Sequence, residues 1–311
     1  MLQVLSFFAV YIAIFIFGMT VLRTGLYNVS KHKMKQWLMQ MTKNPLQGML
    51  IGTFVTAILQ SSSAVMVLTV GLVATGYLTF RQSIGIILGT NIGTTITTEL
   101  ITFPIDQFVV PMLVIGAILL LFSNVFISCL GAMLFGLGCI FVSMNGFEHL
   151  AVPLSQLPSI EGVIQQANTS ELLGLWIGTF ITAIIQSSTA TTGIIMSFLN
   201  ENILSLPAGI AILFGANIGT CITALLASIG SSREGKLTAF AHAWLNVFGV
   251  LFFFPFIQAF STIATKLTQF PDAQLAHVSL IFNIVCSLLA LPLTSLLAKF
   301  IIKVHGGEMV R

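Results

Sequence analysis

The sequence predicts an all-α polytopic membrane protein with inverted structural repeats, two re-entrant hairpins and discontinuous helices. Three observations support this fold class. Of 311 residues, 56% are hydrophobic and 7% are charged, whereas soluble domains carry about 25% charged residues. Apolar runs long enough to cross a bilayer recur along the chain, and one half of it resembles the other. The composition excludes a soluble enzyme, a disordered tail and a nucleic-acid-binding protein.

Residues 1–126 form the first predicted repeat. Its first span, 2–22, has no basic residue before it, so it is read as a transmembrane helix and not as a secretory signal peptide. The polar segment 24–47 contains scattered apolar residues and is expected to lie along the lipid interface. The apolar stretch 48–76 is interrupted by a Gln-Ser-Ser cluster and predicts a hairpin that returns to the same side. Two spans complete the repeat, at 82–103 and 108–123.

Residues 127–260 form the second predicted repeat, with the same order of elements. It contains a span at 125–143, an interfacial segment at 149–173 and a second interrupted stretch, the hairpin 174–199. Two further spans follow, at 206–230 and 238–258. The remaining residues, 261–311, hold an unpaired last span at 277–302 and a cytoplasmic tail.

The distribution of charged residues predicts the topology, because cytoplasmic loops carry an excess of Lys and Arg. The segment between the first span and the first hairpin is basic and contains no acid, which places the N-terminus outside and the C-terminus in the cytoplasm. Only Lys266 among the basic residues then falls outside. The protein is expected in the cell membrane, as a multi-pass protein. The basic residues expected inside are Arg23, Lys31, Lys33, Lys35, Lys43, Arg81, Arg233, Lys236, Lys299, Lys303 and Arg311.

An internal repeat underlies this division. Sliding the chain by 126 residues (174 − 48) aligns 48–103 with 174–229 without a gap. Apolar segments can match by composition alone, but the matching residues here include Gln, Ser, Asn and Thr, which are costly at membrane depth. Three predicted crossings separate the hairpins, so the second copy is inverted. Inverted repeats with broken helices are typical of secondary transporters, whose sites lie near the bilayer midplane.

The two hairpin clusters predict an anion site. Serine is a favoured N-cap residue, so each cluster is expected to end one half-helix and begin the next. The new N-terminus would point N–H groups and a positive dipole at the membrane centre. Serines that bond only to the preceding turn would explain a single pair, but two matched clusters favour a cavity for a tetrahedral oxyanion. The residues are Gln60, Ser61, Ser62, Ser63, Gln186, Ser187, Ser188 and Thr189.

A second pair of motifs, G-x-N-I-G-T at 89–94 and 215–220, predicts a cation site. Two glycines four residues apart favour local unwinding, and amide, hydroxyl and freed carbonyl oxygens would suit Na⁺. A small-xxx-small packing face against a neighbouring helix is the alternative, and both can hold together. The candidate ligands are Thr90, Asn91, Thr94, Thr95, Asn217, Thr220 and Cys221.

Charged side chains are scarce inside the predicted spans. No Lys or Arg lies deep in a span, so co-bound cations and helix dipoles would have to compensate a bound anion, which indicates cation-coupled symport. Glu99 is read as a pore-mouth or packing residue. His242 and Asn246 share a helix face and are candidates for support of the site, and His277 and Asn283 lie in the last span; interhelical hydrogen bonding is the plainer reading of these four.

These motifs resemble the type II sodium-dependent phosphate cotransporter family, in a short form without the C-terminal phosphate-regulator-like domain. The resemblance rests on the duplicated QSSSA and QSSTA clusters, the G-x-N-I-G-T segments and Ala241–Asn246 (AHAWLN), and it covers about 48–256. It implies that residues 60–63 and 186–189 form the phosphate and sodium site. Thr189 and Cys221 depart from the pattern. An extra acidic residue of electrogenic relatives has no counterpart in 107–116, which favours electroneutral transport.

The expected function is therefore sodium-coupled symport of inorganic phosphate by alternating access, with Na⁺ as the coupling ion and no other cofactor. Another oxyanion or a carboxylate could occupy the same donors, and an anion channel is a further alternative. A serine hydrolase with His242 or His277 as base is disfavoured, because there is no G-x-S-x-G element. The expected partners are phosphate, Na⁺ and membrane lipid, with no nucleic acid, and a homodimer is the candidate assembly.

Overall fold

In the computed structural model, the described residues 2–306, with the side chains of 31–33 and 35 left aside, form helices and no strand. The all-α polytopic class is confirmed. Part of the predicted cytoplasmic tail, 307–311, lies outside the described residues. Five helical stretches are long and apolar enough to cross a membrane. These are Leu2–Ser30, Val125–Ser155, Leu206–Ala227, Arg233–Leu267 and Pro271–His305.

The first half of the chain contains five helices. They are α1 (Leu2–Gln40), α2 (Pro45–Leu59), α3 (Ser62–Ala74), α4 (Phe80–Leu100) and α5 (Asp106–Leu120). Helix α1 does not end near residue 22, where the sequence predicted a span to give way to an interfacial segment. No proline precedes Pro45, so none interrupts the helix between residue 22 and its end at Gln40.

The second half contains ten helices of varied length. They are α6 (Val125–Ser155), α7 (Pro158–Thr169), α8 (Glu171–Ile185), α9 (Ser188–Asn200), α10 (Leu206–Gly219), α11 (Cys221–Ala227), α12 (Arg233–Phe253), α13 (Ile257–Leu267), α14 (Pro271–Ala290) and α15 (Thr294–His305). Single 3₁₀ turns at Phe254–Phe256 and Leu291–Leu293 join α12 to α13 and α14 to α15. The predicted last span, 277–302, therefore starts earlier, at Pro271, and contains a turn at Pro292, since proline cannot donate a helix hydrogen bond.

Helix packing repeats between the halves of the chain. Helix α2 packs most extensively on α4, and its counterpart α8 packs in the same way on α10, while α1 packs along α6. Glycines of α4 and α10 allow this close packing. A Cβ at Gly93 would lie 2.6 Å from the Thr53 carbonyl oxygen, and one at Gly219 would overlap the equivalent carbonyl of Thr179. The residue-level match between the repeats thus extends to packing; their opposite orientation stays a prediction.

Candidate functional site

Both predicted hairpins contain a helix break at the Gln-Ser-Ser cluster. Helix α2 is followed by the C-cap residue Gln60, whose φ of 52° is left-handed, and α8 by the C-cap residue Gln186, with φ 56°. The next residue in each case is an N-cap. The Ser61 hydroxyl accepts from the Ala64 N–H at 3.1 Å, and the Ser187 hydroxyl accepts from the N–H of Ala190 at 3.2 Å. The same turn is built twice, because serine satisfies N–H groups that a helix start leaves free.

The two breaks converge on one small polar cavity. Ser62 and Ser188, the first residues of α3 and α9, both line it. Side chains from α4, α10 and α14 complete the wall, so three further helices meet the two hairpin tips. The other wall residues are Asn91, Thr94, Thr95, Thr98, Thr192, Leu213, Ala216, Asn217, Thr220, Ser279 and Asn283.

The wall of this cavity is uncharged, and most of its residues are polar. No Asp, Glu, Lys or Arg is among its described residues. Two helix N-termini favour negative charge there, and amide and hydroxyl oxygens are ligands that a hard cation accepts. The cavity has a volume of about 20 Å³, room for little more than one water molecule or one small ion.

The structure brings seven predicted site residues to the cavity and leaves the others outside its wall. Those inside are Ser62, Ser188, Asn91, Thr94, Thr95, Asn217 and Thr220; those outside are Gln60, Ser61, Ser63, Gln186, Ser187, Thr189, Thr90, Cys221, His242 and Asn246. Ser61 and Ser187 instead cap their helices. The Oε1 of buried Gln60 has no hydrogen-bond partner, whereas Gln186 is exposed.

The predicted unwinding at the G-x-N-I-G-T motifs is wrong for the first motif. Helix α4 runs unbroken from Phe80 to Leu100, and in the second motif only Thr220, between α10 and α11, lies outside a helix, with nearly helical angles. The glycines have the alternative role. A Cβ at Gly89 or Gly215 would overlap the backbone of α2 or α8. Because helix–helix contact holds the backbone in place, the motif's side chains, and not freed carbonyls, reach the cavity.

Asn246 links the two motifs from behind the wall. It accepts a hydrogen bond from Asn91 Nδ2 at 3.0 Å through its Oδ1, and its Nδ2 lies 3.1 Å from Cys221 Sγ. Asn246 thus holds the Asn91 amide beside the cavity, and its support of the site stays a prediction. His242 differs: both of its ring nitrogens are buried without a hydrogen-bond partner, so it does not bond across helices.

The last predicted polar residues are also accounted for. His277 Nδ1 lies 2.9 Å from Glu99 Oε1, which joins α14 to α4. Asn283 and Ser279 line the cavity one turn apart on α14. From the sequence, the polar residues of the last span were expected to form interhelical hydrogen bonds, and the span was not placed in the site.

Arg23 is a functional candidate that the sequence analysis assigned to a cytoplasmic segment. It lies within α1 and donates from Nε to the Gln60 carbonyl oxygen at 2.9 Å. That carbonyl stands at the C-terminal end of α2, where the helix dipole favours a positive charge. A cation therefore contacts the first hairpin tip, although none lines the cavity.

Replacing Arg23 with glutamine is expected to lower the thermal stability of the protein. A hydrogen bond to a charged group contributes about 1.5–3 kcal/mol, and here it also holds a left-handed turn. Thermal unfolding of purified protein measures the effect. Arg81→Gln is the matched control, because Arg81 is exposed in the first turn of α4; an equal loss in both variants would contradict this role for Arg23.

Comparison with known proteins identifies relatives along most of the chain. The model of the family described as Na+/Pi-cotransporter matches residues 14–149 and 154–282. "Uncharacterized protein YqeW" of Bacillus subtilis is 42% identical over 97% of this chain and 98% of its own length. "Putative inorganic phosphate export protein YjbB" of Salmonella typhimurium is 23% identical over 96% of this chain, which spans 55% of that longer protein.

A shorter match is found with a vertebrate protein. "Sodium-dependent phosphate transport protein 2B" of Homo sapiens is 39% identical over 93 residues, 27% of this chain and 13% of that protein. No solved structure matches.

Proposed function

Since this chain belongs to the Na+/Pi-cotransporter family, we propose that it couples the movement of inorganic phosphate to that of Na⁺ by alternating access. The family is one of transporters and not of enzymes, which sets the serine hydrolase aside. Relatives named for sodium-dependent phosphate transport and for phosphate export support phosphate as the substrate. The protein would act in the cell membrane, with its N-terminus outside and its C-terminus in the cytoplasm.

The observation that carries the proposal is the shared cavity of the two hairpin tips. Ser62 and Ser188 each open a helix of 13 residues whose N-terminus faces the same space. Their hydroxyls and the adjacent N–H groups would bind phosphate oxygens, as helix N-termini do elsewhere. Ser61 and Ser187 would shape the tips as caps, while Gln60, Ser63, Gln186 and Thr189 flank them.

Sodium would bind to the uncharged oxygens on the facing helices. Asn91, Thr94, Thr95, Asn217 and Thr220 point oxygen-bearing side chains at the cavity. In a wall without cationic side chains, a cation beside the anion reduces the cost of removing both from water. This is a physical reason for coupling, because each ion would bind poorly alone.

The small size of the cavity supports alternating access over a static pore. A volume of about 20 Å³ holds about one water molecule, so a hydrated phosphate enters only if the tips separate. The two tips belong to different repeats, and movement of one against the other would open the site to either side in turn. An anion channel would instead need a continuous path.

Uptake into proteoliposomes tests the proposal. We expect phosphate accumulation only with an inward sodium gradient, and phosphate counterflow that sulfate and simple carboxylates do not support. Reversing the sodium gradient should drive export. Uptake that is equal in choline and sodium would contradict coupling. Flux far above the turnover of a transporter, independent of Na⁺, would indicate the channel, and sulfate counterflow would indicate another oxyanion.

A further inference from the structure

A large apolar cavity lies behind the second hairpin, away from the polar cavity. Its volume is about 440 Å³, within the range of small-molecule sites. Residues of α1, α6, α7, α8, α9 and α10, with Leu204 between α9 and α10, form its wall. Helix α9 separates the two spaces: Ser188 and Thr192 line the polar one, and Ile194 and Phe198 line the apolar one.

The first repeat fills the equivalent space with its own side chains. A cluster of nine buried apolar residues lies there, and adding 126 to eight of their nine numbers gives a residue in the wall of the cavity. Met34, Leu38 and Val55 are at most 1% exposed. Their counterparts Ile160, Ile164 and Ile181 border the open space, and Ile181 is 38% exposed.

Prolines explain why only one of the two spaces is filled. In the first repeat α1 continues unbroken to Gln40 and carries Met34 and Leu38 onto the hairpin. In the second repeat the equivalent chain contains Pro153 and Pro158, and it ends α6 at Ser155 before α7 begins. Proline interrupts helix hydrogen bonding, so α7 takes a separate course and leaves a gap.

Water is a poor occupant of this space. The one polar residue among the wall residues is Thr191, and its hydroxyl is bonded to the Thr182 hydroxyl at 2.8 Å and to the Ser187 carbonyl at 3.2 Å. The remaining wall is aliphatic or aromatic, and a cavity of this kind binds apolar ligands and not water. Its rim includes Ile184, which is 80% exposed, so the space opens sideways toward the medium that surrounds a membrane-spanning chain.

We propose that this cavity binds one acyl chain of a membrane phospholipid, which supports the second hairpin as Met34 and Leu38 support the first. Ile164 lines both the cavity and a neighbouring polar hollow that contains Gln156, Glu161 and Gln165. A phospholipid would place its chain in the first and its headgroup at the second. The inference holds whichever ion the protein transports.

Quenching by lipid tests the proposal. Phenylalanine replaces Trp37, Trp176 and Trp244, the three tryptophans of the chain, and a single reporter is introduced as Ile194→Trp or, at the equivalent position, Leu68→Trp. Both positions are partly buried. In bilayers of phospholipids with brominated acyl chains, Ile194→Trp is expected to lose most of its fluorescence and Leu68→Trp to keep most of it.

A filling variant distinguishes the cavity from general contact with lipid. Ala167 is buried in the wall, and Ala167→Phe is expected to restore most of the fluorescence of the Ile194→Trp protein; Ala117→Phe, on the exposed side of α5, is the matched control and should restore none. Size-exclusion chromatography selects folded protein. Equal quenching of the two reporters would overturn the proposal. So would the absence of quenching in both, which would mean that α7 closes over the space. An Ala167→Phe variant whose fluorescence is quenched as before would also overturn it.

Discussion

Replacing either Ser62 or Ser188 with alanine is expected to raise the phosphate concentration for half-maximal uptake about tenfold to a hundredfold. A hydrogen bond to a charged group contributes about 1.5–3 kcal/mol, and 1.4 kcal/mol is a factor of ten. Both hydroxyls face one cavity, and neither is the N-cap of its helix, so the hairpin turn should survive. The double variant should bind phosphate more weakly than either single one.

The control for this prediction lies on the same helix. Ser197 in α9 is buried and donates to the Gly193 carbonyl oxygen at 3.1 Å, away from the cavity wall. Ser197→Ala should therefore leave the half-maximal concentration unchanged. Measurements of uptake against phosphate concentration at saturating Na⁺ separate the cases. Wild-type behaviour of a folded Ser62→Ala, Ser188→Ala double variant would refute the assignment of the anion site.

Gly215→Ala is expected to prevent the correct packing of α8 on α10. The added Cβ would overlap the Leu175 carbonyl oxygen and lie 2.8 Å from the Thr179 nitrogen. Backbone atoms cannot rotate away as a flexible side chain can, so the cost should exceed the roughly 1–3 kcal/mol typical of an overpacked core. Gly89→Ala should do the same between α2 and α4, where its Cβ would meet the backbone of Met49 and Thr53.

Glycines in open surroundings provide the comparison. A Cβ at Gly71 in α3 or Gly162 in α7 would meet nothing within 4 Å, and alanine is the better helix former by about 1 kcal/mol. These variants should be as stable as the wild type or more so. The yield of monodisperse protein and its thermal midpoint measure the contrast. An unchanged midpoint for Gly215→Ala would mean that the two helices do not approach as closely as described.

The helix breaks could be predicted from sequence because their signal is chemical. Serines inside apolar stretches are costly at membrane depth, and the same cluster recurs after 126 residues, so a match by apolar composition alone does not explain them. The glycine motifs carry no such signal, because Gly89 and Gly93 suit both local unwinding and close helix packing. Only the position of α2 against these glycines shows that close packing is their role. Likewise, Pro45 and Pro158 mark the starts of new helices, whereas the loss of hydropathy at residue 22 does not end α1.

Two site features lay beyond sequence reasoning for a different reason. Ser279 and Asn283 belong to the last helix, which has no copy elsewhere in the chain, so comparison between repeats could not single them out. The charge distribution assigned Arg23 to a cytoplasmic segment after the first span. Its guanidinium nevertheless reaches the first hairpin, because a long side chain can extend beyond the level of its own Cα.

The backbone at Gln60 and Gln186 is left-handed, so the residue that suits the turn best differs from the residue that a binding site would use. Glycine is the usual occupant of such a position, and any residue with a Cβ is held there at a cost of roughly 1 kcal/mol. Main-chain geometry alone would thus select against glutamine at both places. Its presence twice supports the proposal that the carboxamide group serves the site, because the turn itself does not require it.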